Sequence, residues 1–327
     1  MIPIPRLLLL AGLCALVLAL AMFSLAAGKV FVPWSAWASM DDPRWAIIFG
    51  LRLPRTVLGV MVGAALGASG AALQGYVRIP LADPGVLGVS SVAALGAVLT
   101  LYLGVTTEAP WVLPVAAVVG GVAGVLLLMA LAGLSSSTVA FILAGVILST
   151  VATAGIALAL TLAPSPWAVN EIVNWLMGSL TDRSLNEVVW AAPFVVAGLG
   201  LFACTGRALD ALTLGDTGAR ALGVDMGLTR WLVAAGVGLA VGASVSVTGV
   251  IGFVGLVTPH LLRPFVGARP GALLVPSALA GAAIVLAADI AVRLAPTQSE
   301  LKLGVAMAAL GGPFFLALLI SMRRRIV

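Results

Sequence analysis

Few residues in this 327-residue chain are equipped for chemistry. The single histidine, His260, and the two cysteines, Cys14 and Cys204, lie in separate apolar stretches. A zinc site needs three or four such ligands brought together, which a lone histidine does not supply. The cysteines lack the spacing of a disulfide framework or metal knuckle. Only two lysines occur, Lys29 and Lys302. Neither stands in G-x-x-x-x-G-K-[ST], so no phosphate-cradling loop for nucleotide is encoded. A Ser–His–Asp arrangement would have to be built around His260 inside an apolar helix, with no loop to form an oxyanion hole. His260 therefore reads as a structural histidine bonded within a helix bundle. Two charged groups need explanation. Asp289 is the one acid well inside an apolar stretch, and Arg293 follows four residues later, the spacing of an ion pair on one helix face. The competing reading is a proton relay, since acids inside membranes often mark transport paths. With no second acid or histidine beside it, the pair is preferred. The other group is Thr213–Asp225, TLGDTGARALGVD, which sets Asp216, Arg220 and Asp225 between two long apolar segments.

The elements that position these residues are membrane helices. Hydrophobic residues make up 62% of the chain and charged residues 9%, with a mean hydropathy of +1.20. A soluble domain carries about 25% charged residues. Continuous rather than alternating apolar runs select helices over a barrel. At roughly 20 residues per span, the sequence fits about ten, over 7–27, 56–77, 85–104, 112–133, 139–162, 187–205, 229–248, 250–267, 272–292 and 303–321. The first run, Leu7 to Ala27, is longer than the hydrophobic core of a signal peptide and reads as an uncleaved helix. An even count puts both termini on one side, and the tail Arg323-Arg324-Arg325 makes that side cytoplasmic. Arg44, Arg52 and Arg55 then fall on the outer side against the positive-inside rule, and require a reason.

Within the spans, Gly59, Gly63 and Gly67 share one helix face, and Gly120/Gly124 and Gly238/Gly242 repeat the spacing. Small residues so placed let backbones approach closely in lipid. Pro80 and Pro84 interrupt the chain after the second span, with Arg78 and Asp83 marking the water boundary. Ser135-Ser136-Ser137-Thr138 forms an uncharged polar junction, and Ser165 to Glu187, with Trp167 and Trp175, suits a short helix near the outer surface. Pro259 and Pro264 shorten or kink the eighth span. The Thr213–Asp225 stretch must lie in water, because a charge at the bilayer centre costs roughly 3 kcal/mol even on lenient scales. It reads as a short helix with Asp216 as N-cap, Gly223 as C′ glycine and an apolar strip of Leu214, Ala219 and Leu222. A plain connector and a docking element for a cytoplasmic partner both fit it.

Several blocks together resemble one family. They are Arg52-Leu53-Pro54-Arg55 with GAALGASGAALQGYVRIPLADPGVLGVSS, then TLGDTGARALGV, GVIGFVGLVTPHLLR, AADIAVR and ELKLGVAMAALGGPFFLALL, in that order over about residues 50 to 321. This pattern is similar to the FecCD-type permease subunits of bacterial ABC importers, which carry iron–siderophore complexes, haem or cobalamin. The resemblance implies an all-α integral membrane protein with the ten-helix type II importer fold, a single transmembrane domain over residues 1–327 in the bacterial inner membrane. It implies partners: a second copy of itself or a similar permease, two cytoplasmic ATPase subunits, a periplasmic substrate-binding protein, and lipid, with no nucleic acid. It implies that the chain is not itself an enzyme and binds no cofactor or metal, ATP and Mg being held by the ATPase.

Four regions acquire roles from the resemblance. The stretch 206–227 matches the cytoplasmic coupling loop, with Leu214, Gly215, Asp216, Ala219, Arg220, Leu222 and Gly223 as coupling residues. Arg52, Arg55 and Arg293 match outward arginines that meet glutamates of the binding protein, which would account for the positive charge outside; as solvent-exposed groups each would contribute little affinity alone. Ser137 and Thr138 match an inner gate, and Ile79, Pro80 and Leu81 a second constriction. The chain departs from the family pattern at Ile79, where Asn is usual, at Lys302, where Pro is usual, and at Ala268-Arg269-Pro270, a less hydrophilic inner turn. Within the family's cargo range the expectation leans to iron–siderophore or haem, with cobalamin as alternative. An ion-driven secondary transporter relying on Asp289, and a non-transporting scaffold, are the competing classes.

Overall fold

A computed structural model describes residues 5–28, 30, 32–33, 37, 42, 44–80, 82–85, 87–132, 138–267, 269–296 and 300–323. The chain is helical, with no strand among the described residues. In order the helices are α1 (Arg6–Ala26), α2 (Leu53–Val77), α3 (Val89–Tyr102), α4 (Val112–Ala132), α5 (Thr138–Thr161), α6 (Pro166–Leu176), α7 (Leu185–Ala211), α8 (Gly215–Ala221), α9 (Met226–Thr248), α10 (Val254–Val266), α11 (Pro270–Leu294) and α12 (Leu303–Arg323). A π-helical turn, Ile47–Arg52, leads straight into α2. A 3₁₀ turn, Leu212–Leu214, joins α7 to α8. Ten of these helices correspond to the ten expected spans. The expected surface helix is α6, amphipathic and started by Ser165, whose hydroxyl accepts the Ala168 N–H.

Two spans are shorter than the hydropathy suggested. α10 holds 13 residues and α3 holds 14, which at about 1.5 Å per residue gives roughly 20 Å against a hydrocarbon core of about 30 Å. Among the described residues, the remainder of each stretch is non-helical backbone. Ahead of α10, Gly249 and Phe253 both adopt positive φ, and Ile251 and Val254 are buried within the bundle. Non-helical chain at membrane depth is tolerated only where protein covers it, and residues 249–253 meet that condition. α7 errs the other way, continuing to Ala211 where the span had been expected to end at 205.

The bundle is built on the pair α2 and α11, its most extensive helix contact. The glycine face of α2 is the reason. A Cβ on Gly63 would overlap the backbone of Gly281 and Ala282, and one on Gly67 would meet the Ser277 carbonyl. The two helix backbones thus touch without side chains between them, which in lipid replaces the missing hydrophobic drive with dispersion contact. Gly238 and Gly242 of α9 face Gly121 and Val125 of α4, while Gly120 and Gly124 face α3. Several core hydroxyls bond their own helix, as Ser69 does to the Ala65 carbonyl at 2.6 Å and Ser244 to that of Ala240 at 2.7 Å, and these need no interhelical partner.

Gly63→Val should lower the melting temperature of the detergent-solubilised protein by several degrees and broaden its size-exclusion peak. Gly12→Val on the open face of α1, where an added Cβ meets nothing within 4 Å, should change neither.

Candidate functional site

Charged residues gather at the two ends of the α2–α11 pair. At one end stands Asp289 of α11, which is 0% exposed. Arg55, in the first turn of α2, donates to it through Nε at 2.9 Å and Nη2 at 2.7 Å. Arg293 closes the i,i+4 pair on α11 at 2.9 Å. The ion pair expected from spacing is present, and both carboxylate oxygens are engaged, which leaves the proton-relay reading no free acid. Arg55 also donates to Glu300, just before α12, and the Thr181 hydroxyl approaches the same oxygen at 3.4 Å. Burial alone would raise the Glu300 carboxyl, but the Arg55 guanidinium outweighs it and holds the group below its ordinary range.

The same arginines finish α1. The last carbonyls of a helix have no intrahelical partner. Arg52 donates to those of Leu25 at 2.9 Å and Ala26 at 2.7 Å, and to that of Val30 at 2.6 Å. Arg293 donates to the carbonyls of Ser24 at 2.9 Å and Ala27 at 3.3 Å and to the Ser24 hydroxyl, itself 2.7 Å from the Thr56 hydroxyl. This corrects the expectation that these arginines are solvent-exposed: Arg52, Arg55 and Arg293 are only 6%, 9% and 6% exposed. Within the chain they neutralise Asp289 and satisfy the end of α1. Charge reversal at Arg55 would therefore put three carboxylates together and disturb the fold. Arg52, Arg55, Arg183 and Arg293 also line a cavity of about 260 Å³. It shares Thr181, Asp182, Arg183 and Glu300 with a neighbouring cavity of about 700 Å³ walled by α6 and the start of α12, including Lys302.

At the opposite end lies α8. Gly223 is its C′ residue, at φ 81, and the closing bonds run from Gly223 N–H to the Arg220 carbonyl at 2.9 Å and from Val224 N–H to that of Ala219 at 3.0 Å. That is the Schellman arrangement. Asp216 does not cap the helix; Leu214 occupies the N-cap, and Asp216 in the first turn accepts from Arg78 Nη2 at 2.7 Å. The expected apolar strip is split, because Ala219 is fully buried while Leu214 and Leu222 are 67% and 64% exposed. Gly215 and Arg220 sit beside them at the surface of the turn, Arg220 exposed. The following helix, α9, is capped by Asp225, whose carboxylate accepts the Leu228 N–H at 3.0 Å.

Above α8, Gln74 is buried in the penultimate turn of α2. It donates to the carbonyls of Ala82 at 3.3 Å and Gly255 at 3.2 Å and accepts from Arg263 at 2.8 Å. Pro80 lines a cavity of about 350 Å³ here with Gln74, Arg78, Thr213 and Arg263, and Ile79 is part-exposed beside it. Leu81 and Ser137 lie outside the described residues, and of Thr138 only its place at the start of α5 is described. His260 packs edge-on against Phe314, ring centroids 6.0 Å apart, and its Nδ1 has no hydrogen-bond partner among the described residues, contrary to the bonded histidine expected. No group of three His, Cys, Asp or Glu suited to a metal occurs among them. Sequence reasoning missed Ser24, Thr56, Gln74 and Glu300. Only Glu300 carried a signal, as a carboxylate in a quoted block with no assigned partner.

A family model described as the FecCD transport family matches residues 16–321. The chain belongs to the FecCD transport family. Among its relatives is the vitamin B12 import system permease protein BtuC of Vibrio cholerae serotype O1, 36% identical over 310 residues that cover 94% of this chain and 92% of that one. The BtuC of Salmonella typhi is 36% identical over 316 residues, covering 96% and 95%. A solved structure described as an inward-facing conformation of a metal-chelate type ABC transporter superposes with a TM-score of 0.85 at 31% identity, over 97% of this chain and 99% of that one. PsaBC from Streptococcus pneumoniae, at TM-score 0.55 and 17% identity, shares the fold. This FecCD-family chain is thus the permease subunit of an ABC importer, non-catalytic itself, with ATP hydrolysis on a separate subunit.

Removing one member of a buried ion cluster leaves the others uncompensated, typically at about 3–5 kcal/mol. Asp289→Asn should accordingly lose most of its yield of folded protein and melt well below the parent in detergent. Glu300→Gln, which keeps Asp289 for Arg55, should lose much less.

Proposed function

We propose that this permease moves a bulky metal chelate from a periplasmic binding protein across the inner membrane, pairing with a second copy of itself or a similar permease and with two cytoplasmic ATPase subunits. The observation that carries the reading is α8: a sealed short helix, set between two long apolar helices, that holds Leu214, Leu222 and Arg220 outward while burying Ala219. A chain with no nucleotide-binding loop of its own needs such a contact to receive mechanical work. In this reading 206–227 is the coupling loop, both termini are cytoplasmic, and the Asp289 cluster lies at the periplasmic end. The binding protein docks there on the surface that the cluster holds in shape, with the Glu300 carboxylate beside Arg55 as the group a glutamate of the partner would displace. Ile79, Pro80, Leu81, Ser137 and Thr138 form the inner constrictions. Docking and ATP act as shifts between inward- and outward-facing states, each effective only through its differential affinity for the two.

For cargo, the BtuC relatives favour cobalamin over the iron–siderophore or haem suggested by sequence alone. An iron chelate is the second reading, supported by the metal-chelate type of the similar solved transporter. Both cargoes are large, rigid and handed over whole, which suits helices lined with small and apolar side chains. The cognate binding protein decides between them. Titration with cyanocobalamin, a ferric hydroxamate and haemin should give submicromolar affinity for cyanocobalamin; preference for either iron compound replaces the first reading by the second.

Arg220→Glu should lower cargo moved per ATP hydrolysed by tenfold or more in proteoliposomes carrying the full complex. Normal uptake in that variant would make α8 a connector only. Uptake that persists without ATP and collapses with the ion gradient would overturn the importer mechanism altogether.

A further inference from the structure

One ion pair, among the described residues, ties α8 to α2, beside the packing of Ala219 into the core. Arg78 is the C-cap of α2 and adopts a left-handed conformation, φ 58. A non-glycine residue rarely sits there without a compensating reason. The conformation ends α2 and accompanies the reach of the guanidinium across 138 residues of sequence to Asp216 of α8, at 2.7 Å. One helical turn earlier, Gln74 holds the Ala82 and Gly255 carbonyls and Arg263. The end of α2 is thus fastened to four things at once: α8, the 79–88 connection, and both halves of α10. The pair is part-exposed, its side chains 37% and 32% accessible, so a surface-like bond of this kind adds little to folding. Its placement is what distinguishes it.

Resting on the coupling role given to α8 above, we infer that Arg78–Asp216 is the strut that makes α8 and the last turn of α2 move together. Displacement of α8 by the ATPase is then delivered to Gln74 and from there to the Pro80 connection and to α10, rather than being absorbed by the 3₁₀ turn at Leu212–Leu214. Arg78 and Asp216 are positioning residues for transport, and neither touches cargo or nucleotide. The 350 Å³ cavity beside Arg78, bounded by Pro80, Thr213 and Arg263, gives the joint room to shift without a clash.

The test uses the full complex, with permease, ATPase and binding protein in proteoliposomes. It is offered an equimolar mixture of cyanocobalamin, a ferric hydroxamate and haemin, with internalised cobalt and iron counted by mass spectrometry against phosphate released. Arg78→Glu and Asp216→Arg should each lower metal moved per ATP at least fivefold, and the reciprocal double variant should recover to within twofold of the parent. Arg78→Lys, which keeps the charge, should lie between. Full activity in both single variants, or no recovery in the double variant when all variants elute as folded complexes, overturns the strut. Arg220→Glu, run alongside, separates the two proposals: if it uncouples and the Arg78 variants do not, the coupling role stands and the strut falls. If neither uncouples, both fall.

Discussion

A carboxylate with no solvent contact dictates the architecture of one end of this protein. Asp289 cannot be held inside an apolar bundle as a bare charge, since the desolvation cost of a lone ion far exceeds the net stability of a domain. Two guanidinium groups must therefore reach it, one from its own helix and one from α2, and each brings further demands. Arg55 has donors left over, which Glu300 takes up; Arg293 and Arg52 spend theirs on the open carbonyls of α1. The result is a neutral quartet of two acids and two bases, with a third arginine on backbone oxygen. Four segments from the two ends of the sequence, the end of α1, the start of α2, the end of α11 and the lead-in to α12, meet in it. The close backbone contact of α2 with α11, Gly63 against Gly281, lies further along the same two helices.

The other end works by looser means. Its bonds, from Arg78 to Asp216, from Gln74 to two carbonyls and from Arg263 to Gln74, join elements that are short or interrupted, and the acids and bases there are part-exposed. Helix ends of this kind open and shift at small cost, whereas a desolvated quartet does not. The two ends of the bundle thus differ in how far their ion pairs are buried, Asp289 being fully enclosed and the Arg78–Asp216 pair part-exposed.

Much of this was readable in the residues. Apolar run lengths located ten helices, because in lipid every backbone group must be satisfied within its own segment and no other fold competes. Gly59, Gly63 and Gly67 announced a tight contact, though not with which helix, since spacing defines a face and not its partner. The Asp289–Arg293 pair was visible because it is local. Arg55 escaped, because a contact across 234 residues leaves no trace in a single sequence, and exposure was wrongly assigned to it on the strength of a family likeness. The Asp216 cap failed because the helix starts earlier than expected: Leu214 takes the N-cap and Asp216 falls within the first turn. The shortening of α10 was hidden because buried irregular backbone carries the same apolar side chains as a helix.

The separation of Arg55 from Asp289 also bears on how the protein is made. α2 leaves the ribosome with Arg55, and the acid that pairs with it follows 234 residues later, on the order of 10–50 s at ordinary synthesis rates. Throughout that interval the nascent chain holds cations near the head of an apolar helix, with only the carbonyls of α1 to engage them. The capping of α1 by Arg52, by contrast, needs only residues already synthesised. A chain truncated before α11 would lack Asp289 and leave Arg55 without its buried counter-ion.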